Sequence, residues 1–334
     1  MTETILANAM LVLPNEVIHG AIRVQDGQIA AIDAGGAVPQ GAIDCEGDLL
    51  MPGLIDVHVH MTFSAMDMAT LQSPDLSPES AGRAAADGAG KMLLRGFTSV
   101  RDMGGPIFPL KAAIDAGAVK GPRIWPSGAH LSQTSGHGDL RAPHEGPRRF
   151  TGKLSRAEQL GATWIADGRD DVLTATRENL RFGASQIKMM AGGGTSSDYD
   201  PLDVTQYTLD ELRAGVEAAD DWNTYVTVHA YTPKAVRRAI EAGVKCIEHG
   251  QMLDDATLAA RRAKLTPYEI PAETRGYARL LLETVEQADR EVVDRLPAHV
   301  LQRAHDSRLA RPEHASDEQD ALGSAFRFRF GGHG

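Results

Sequence analysis

From residue 53 onward the chain alternates between two textures, and that alternation limits the folds open to it more than any other feature. Short apolar runs that read as strands, "LIDVHVH", "FTSVRDM", "RIWPSGA", "SQIKMMAGGG", "YVTVHAY" and "KCIEHG", are separated by alanine-rich or amphipathic stretches such as "SAGRAAADGAGKMLLRG" and "TLDELRAGVEAADDWN". Continuous apolar strands need cover on both faces, which parallel βα units supply. The polar outliers fall at strand C-termini, where barrel active sites are built, so six units of a (β/α) barrel are expected rather than an open sheet. Residues 1–52 differ: short or alternating strands broken by turn signals, with the Asp26-Gly27 pair marking a hairpin.

The chemistry sits in those strands. In a strand, residues two apart share a face, so His58 and His60 of "LIDVHVH" project together, a pairing suited to zinc. The bland alternative is two satisfied polar side chains, yet a strand of Leu, Ile and Val has little reason to aim two histidines inward without a partner. Lys188, midway through "SQIKMM", is costly to bury unless paired, neutralised or modified. Burial lowers an amine's pKa and frees it, for example, to form a carbamate with carbon dioxide; otherwise the side chain snorkels to the strand end. Gly192–Gly194 let the backbone turn tightly beside it. His229 and His249 end the next two strands. Each alone is more readily structural, but together they place a His or Lys at the ends of strands one, four, five and six. Glu248 is directed away from His249 by strand alternation. His137, in the loop "SQTSGHGDLR", and Tyr231, two residues past His229, are candidates for substrate contact; a turn histidine is the alternative for the first. Arg101 and Asp102 equally suit a structural ion pair.

Composition narrows the partners. A net charge of −11 and a pI near 5.5 argue against nucleic acid or an anionic membrane. The N-terminus lacks a basic region before its apolar run, and two cysteines, Cys45 and Cys246, are too few for a disulfide framework. A cytoplasmic protein acting on a small molecule is expected.

"PGLIDVHVH", "SQIKMM", "VTVHAY" and "CIEHG", in that order, resemble the metal-dependent amidohydrolase superfamily. The loop "SGHGDLR" and "HAYTP" are most similar to its branch of Xaa-Pro dipeptidase-like carboxypeptidases and ochratoxin-hydrolysing amidases, related to imidazolonepropionases. The resemblance implies a TIM-like (β/α)8 barrel with a small N-terminal β-sandwich segment, residues 1–52 and 53–260. It implies two divalent metal ions, zinc by family habit: His58 and His60 on the more buried one, His229 and His249 on the second, and N6-carboxylated Lys188 bridging. His137 and Tyr231 would contact the substrate's carboxylate or scissile carbonyl. The implied reaction is hydrolysis of an amide (a C–N bond, non-peptide or dipeptide-like) by a metal-bridging hydroxide.

Residues 261–334 depart from this pattern. They hold eleven arginines and one lysine, against fifteen and seven in the preceding 260, and no apolar strand ends in the Thr-Asp pair that the family's eighth strand supplies. Asp289 and Asp294 fall on a helical pattern, and Asp306, Asp317 and Asp320 in polar stretches. The expectation is a barrel truncated after about six βα units, its coding frame altered near residue 260. A catalytically dead remnant is the alternative to an active hydrolase, and a helical tail that covers the open edge or forms a homo-oligomer interface is a third.

Overall fold

The computed structural model describes residues 3–264, apart from 68, 69, 72, 74 and 198. The tail after residue 264, with its helical pattern and its aspartates, lies outside them. The chain divides into two units, one ending at Gly53 and one beginning at Leu54.

The first unit is a five-stranded mixed sheet of β1 (Glu3–Val12), β2 (Val17–Gln25), β3 (Gln28–Ala34), β4 (Ile43–Asp44) and β5 (Leu49–Leu50). Strands β3, β2 and β1 are antiparallel, while β4 and β5 pair parallel to β1. Asp26 and Gly27, at φ 48° and 80°, make the hairpin between β2 and β3, because two successive left-handed residues give the turn twist that matches paired strands.

The second unit is a wall of parallel strands backed by helices. Its elements are β6 (Leu54–Val59), α1 (Pro78–Leu94), β7 (Phe97–Asp102), α2 (Phe108–Asp115), β8 (Arg123–Pro126), β9 (His130–Ser132), the short α3 (Arg148–Thr151) and α4 (Arg156–Gln159), and β10 (Thr163–Ile165). There follow α5 (Arg169–Arg181), β11 (Ile187–Met190), α6 (Leu209–Asp220), β12 (Val226–Ala230), α7 (Pro233–Ala242), β13 (Cys246–His249) and α8 (Asp255–Lys264).

Eight strands are present where the sequence pattern indicates six. The run "RIWPSGAHLS" is split: β8 pairs with β7, whereas β9 pairs with β11 and with the unexpected β10. Three-residue strands leave too little period-two signal to read, and Trp164 and Ile165 pass for loop apolars. At the split, the Gln186 side-chain amide donates to the carbonyls of Asp102 (3.1 Å) and Trp125 (3.0 Å), and the Asn179 amide to that of Ala129 (2.7 Å).

The core fixes which strand face looks inward. Ile187, Met189, Val226, Val228 and Ile247 pack with Val172, Leu212, Val216, Val236 and Ile240 from α5, α6 and α7. Alternation therefore turns Lys188, Thr227 and Cys246 the other way, and likewise the next row, His229 and Glu248. The register supports this, aligning Lys188 with Thr227, Thr227 with Cys246, and His229 with Glu248. A smaller cluster of Val100, Ile124, Ala85, Ala89 and Leu110 backs β7 and β8. Among the described residues no helix is long and apolar enough to cross a membrane.

Candidate active site

Strand ends and the loops after them bring the chemistry together. The β12 strand stops at Ala230 because "YTP" starts a helix: Thr232 accepts the Ala235 N–H and Pro233 takes the first turn. This leaves Tyr231 at the rim, its ring centroid 4.7 Å from that of His229 and 5.4 Å from that of His249. His229 is 4.8 Å from His249, His249 is 4.8 Å from His58, and His58 is 5.3 Å from His60. His137 stacks on His229 at 4.2 Å. Thus six of the seven residues singled out in the sequence form one chain of ring contacts.

Lys188, the seventh, is only 1% exposed. Desolvation draws its pKa down to about 8, with the Glu248 carboxylate opposing and the Arg101 guanidinium assisting. Its charge in turn helps depress the pKa of His60, His137, His229 and His249. Burial rather than snorkelling is therefore its state, and its field reaches four of the rings.

Burial is the leading cause of low imidazole basicity here: it takes His60 to about 3, His229 to about 2 and His249 to about 4. Two rings also have one nitrogen engaged by an acceptor-only group. His60 Nδ1 lies 3.3 Å from the Gly104 carbonyl and His229 Nε2 lies 3.0 Å from that of Gly193, so these nitrogens carry the hydrogens and the opposite ones present lone pairs. Neutral imidazoles with a fixed tautomer are the form that ligates metal, and the donor chemistry fits divalent ions of the zinc type. Among the described residues, however, no three His, Cys, Asp or Glu side chains close into a ready-made metal cluster. A cavity of about 560 Å³ opens beside His58 and His60, lined also by Met61, Ser64 and Asp87.

His137 is held by a polar loop. Its Nδ1 is 2.7 Å from Ser197 Oγ and 3.4 Å from the buried Asp200 carboxylate, and its backbone N–H donates to Gln206. Asp200 also accepts from Ser197, Gly194 N and Gln206 Nε2. The glycines before this loop are sterically required: a Cβ on Gly193 would lie 2.0 Å from the Pro201 carbonyl oxygen, and one on Gly194 1.9 Å from His137 Cε1.

Two expectations are overturned. Glu248 does not point away: its Oε2 is 2.7 Å from His58 Nδ1. It is the even face of β13 that looks inward, and His249 joins the site only because alternation ends there, at φ 73°. That left-handed backbone, rare for a residue with a Cβ, is held at a candidate functional position. Nor do Arg101 and Asp102 pair. Arg101 Nη1 donates to Glu248 Oε1 at 2.9 Å, while Asp102, fully buried, accepts from the N–H groups of Met61 and Gly104. Sequence reasoning also passed over His130, which is 3% exposed and, among the described residues, has no partner within hydrogen-bond geometry at either ring nitrogen, and Asp200, for which no sequence signal existed.

Parallel strands backed by helices gather imidazoles and a buried lysine at their ends, the arrangement of a site in an α/β barrel. The chain belongs to the amidohydrolase family, whose model matches residues 49–325, and has that family's TIM-like α/β fold. It is 36% identical over 215 residues to ochratoxinase of Aspergillus niger, a match spanning 62% of this chain and 44% of that one. Among solved structures, a prolidase complexed with N-methylphosphonate-L-proline is 36% identical with a TM-score of 0.70, covering 79% of this chain and 64% of that one. A Xaa-Pro dipeptidase with methionine bound in its active site is 28% identical with a TM-score of 0.68, covering 79% and 66%. The chain therefore spans about half the length of the ochratoxinase it matches.

Proposed function

We propose that this chain carries the site of a metal-dependent hydrolase that cleaves an amide bond in a dipeptide-like or N-acyl amino acid substrate. One observation carries the reading: a fully buried lysine whose charge acts on the imidazoles of four site histidines. A buried ammonium repels those rings once they are protonated and offers a cation nothing; a carbamate on the same atom would attract it. With its pKa near 8, Lys188 holds an appreciable share of free amine at neutral pH, the form that adds to carbon dioxide.

In this reading His58 and His60 would hold one divalent ion, His229 and His249 the other, with carboxylated Lys188 between them and zinc as the metal. When bound, such ions polarise a carbonyl and lower the pKa of a water to near neutrality. The chain's own groups orient the substrate. Tyr231, at the rim against His229 and His249, would donate its hydroxyl to the scissile carbonyl or to a carboxylate. His137, braced by Ser197 and Asp200, would hold the free carboxylate that distinguishes a dipeptide or an N-acyl amino acid. The relatives support this class of small-molecule substrate: one is named for ochratoxin, one is a prolidase bound to a proline derivative, and one is a dipeptidase.

The test uses the full chain loaded with zinc and bicarbonate, against Xaa-Pro dipeptides, N-acyl amino acids and matching amides without the carboxylate. Hydrolysis of the first two, lost with a chelator and in Lys188→Ala, is expected. Zinc uptake without turnover across the panel would instead fit a non-catalytic form, and unchanged turnover in Lys188→Ala would end the proposal.

A further inference from the structure

The carboxylate of Glu248 is tied asymmetrically. Oε1 accepts from Arg101 Nη1 at 2.9 Å, from the Thr227 hydroxyl and from the Cys246 thiol at 3.4 Å, while among the described residues Oε2 faces only His58 Nδ1, at 2.7 Å. Arg101 is fixed in its turn: Nη1 also donates to the Val57 carbonyl at 3.1 Å and Nε to the Tyr225 hydroxyl at 3.0 Å. A carboxylate held at one oxygen by three donors cannot rotate to exchange its oxygens. The Arg101 guanidinium, which stays protonated, is ion-paired with Oε1 at 2.9 Å, so the group it holds is a carboxylate. An ionised carboxylate only accepts, so the nitrogen facing Oε2 must carry hydrogen.

We infer that Glu248 is a positioning residue for His58: it locks the ring as the Nδ1–H tautomer and presents the Nε2 lone pair to the cation site, with Arg101 and Thr227 as its anchors. The free imidazole of histidine favours hydrogen on Nε2, so the lock works against the intrinsic preference and needs a partner of this strength. This deepens the proposed function and rests on it only for the identity of the cation. The backbone carbonyls that hold His60 and His229 need no charge to do so; His58, on the first strand of the wall, depends on a side chain 190 residues away.

Long-range nitrogen–proton correlation spectra of the metal-free full chain read the tautomer directly. His58, identified by its absence in His58→Gln, is expected as Nδ1–H in the wild type. In Glu248→Gln it should become a mixture or Nε2–H, with Zn²⁺ affinity, measured against a chromogenic chelator, falling 10- to 100-fold. Thr227→Val, which removes an anchor without touching His58, should give a smaller loss of the same kind. Wild-type His58 found as Nε2–H would overturn the inference without any variant, as would an unchanged tautomer and zinc affinity in folded Glu248→Gln. A locked tautomer in a chain that hydrolyses no amide would leave this inference standing while the proposed function fell.

Discussion

The imidazole of His137 lies almost flat on that of His229, with centroids 4.2 Å apart and planes 18° from parallel. The two rings come from segments 92 positions apart, and Gly194 is what admits the contact, since a methyl there would stand 1.9 Å from His137 Cε1. Gly194→Ala should therefore push His137 aside. The expected outcome is a loss in kcat/KM of roughly 10²-fold with zinc stoichiometry retained, measured by steady-state kinetics and metal analysis. Loss of zinc in parallel would instead make the ring part of the metal's surroundings.

His249 combines a side-chain role with a backbone cost. At φ 73° a residue with a Cβ is destabilised by about 1 kcal/mol relative to glycine. His249→Gly should thus be more stable than His249→Ala by about that amount, read from urea unfolding, while both lose zinc equally. Equal stabilities would mean that the strand end relaxes once the ring is gone.

Asp102 has two backbone N–H partners, but complete burial outweighs them and raises its pKa to about 7. Between about pH 4 and 7 the folded chain keeps a proton that the unfolded chain has released. This contribution is full below the unfolded value and is lost as pH rises through 7. Relative to Asp102→Asn, which is neutral throughout, the wild type should lose on the order of 4 kcal/mol between pH 4 and 8. Denaturant titrations of the metal-free pair measure it; a difference independent of pH would show that Asp102 ionises freely in the fold.

Lys188 is expected to trade stability for chemistry. Its folded pKa of about 8 lies below the ordinary 10.5, so below pH 8 the buried ammonium is a net cost, relieved as pH rises toward 10.5. Lys188→Met should leave the metal-free protein more stable at pH 7 by on the order of 2–3 kcal/mol and without hydrolytic activity. A less stable variant would mean that Glu248 more than compensates the lysine's desolvation.

How far the site was legible in sequence depended on whether chemistry and periodicity coincided. His58, His60, Lys188, His229 and His249 stand out because each interrupts an apolar run, and the hairpin at Asp26-Gly27 because only certain residues tolerate its backbone. Glu248 was misjudged for a physical reason. Alternation holds only as far as Glu248; at His249 the backbone turns left-handed and the period of two ends. Strands β9 and β10 were missed because three residues carry almost no pattern. Asp200 and Gln206 hold His137 through a loop whose path no local signal encodes.

The split in the third strand has a mechanical meaning. Where β8 leaves the wall and β9 takes over, backbone pairing is interrupted, and Gln186 reaches across it to the carbonyls of Asp102 and Trp125. Together with the Ser185 N–H, which donates to the Pro126 carbonyl at 2.8 Å, that amide stitches a seam between the strands that carry His58 and His60 and those that carry Lys188, His229 and His249. The same two groups of strands are joined a second time through Glu248, which holds both His58 and Arg101. The donor set is therefore gathered by a few polar bonds between two separately packed hydrophobic clusters rather than by one continuous sheet.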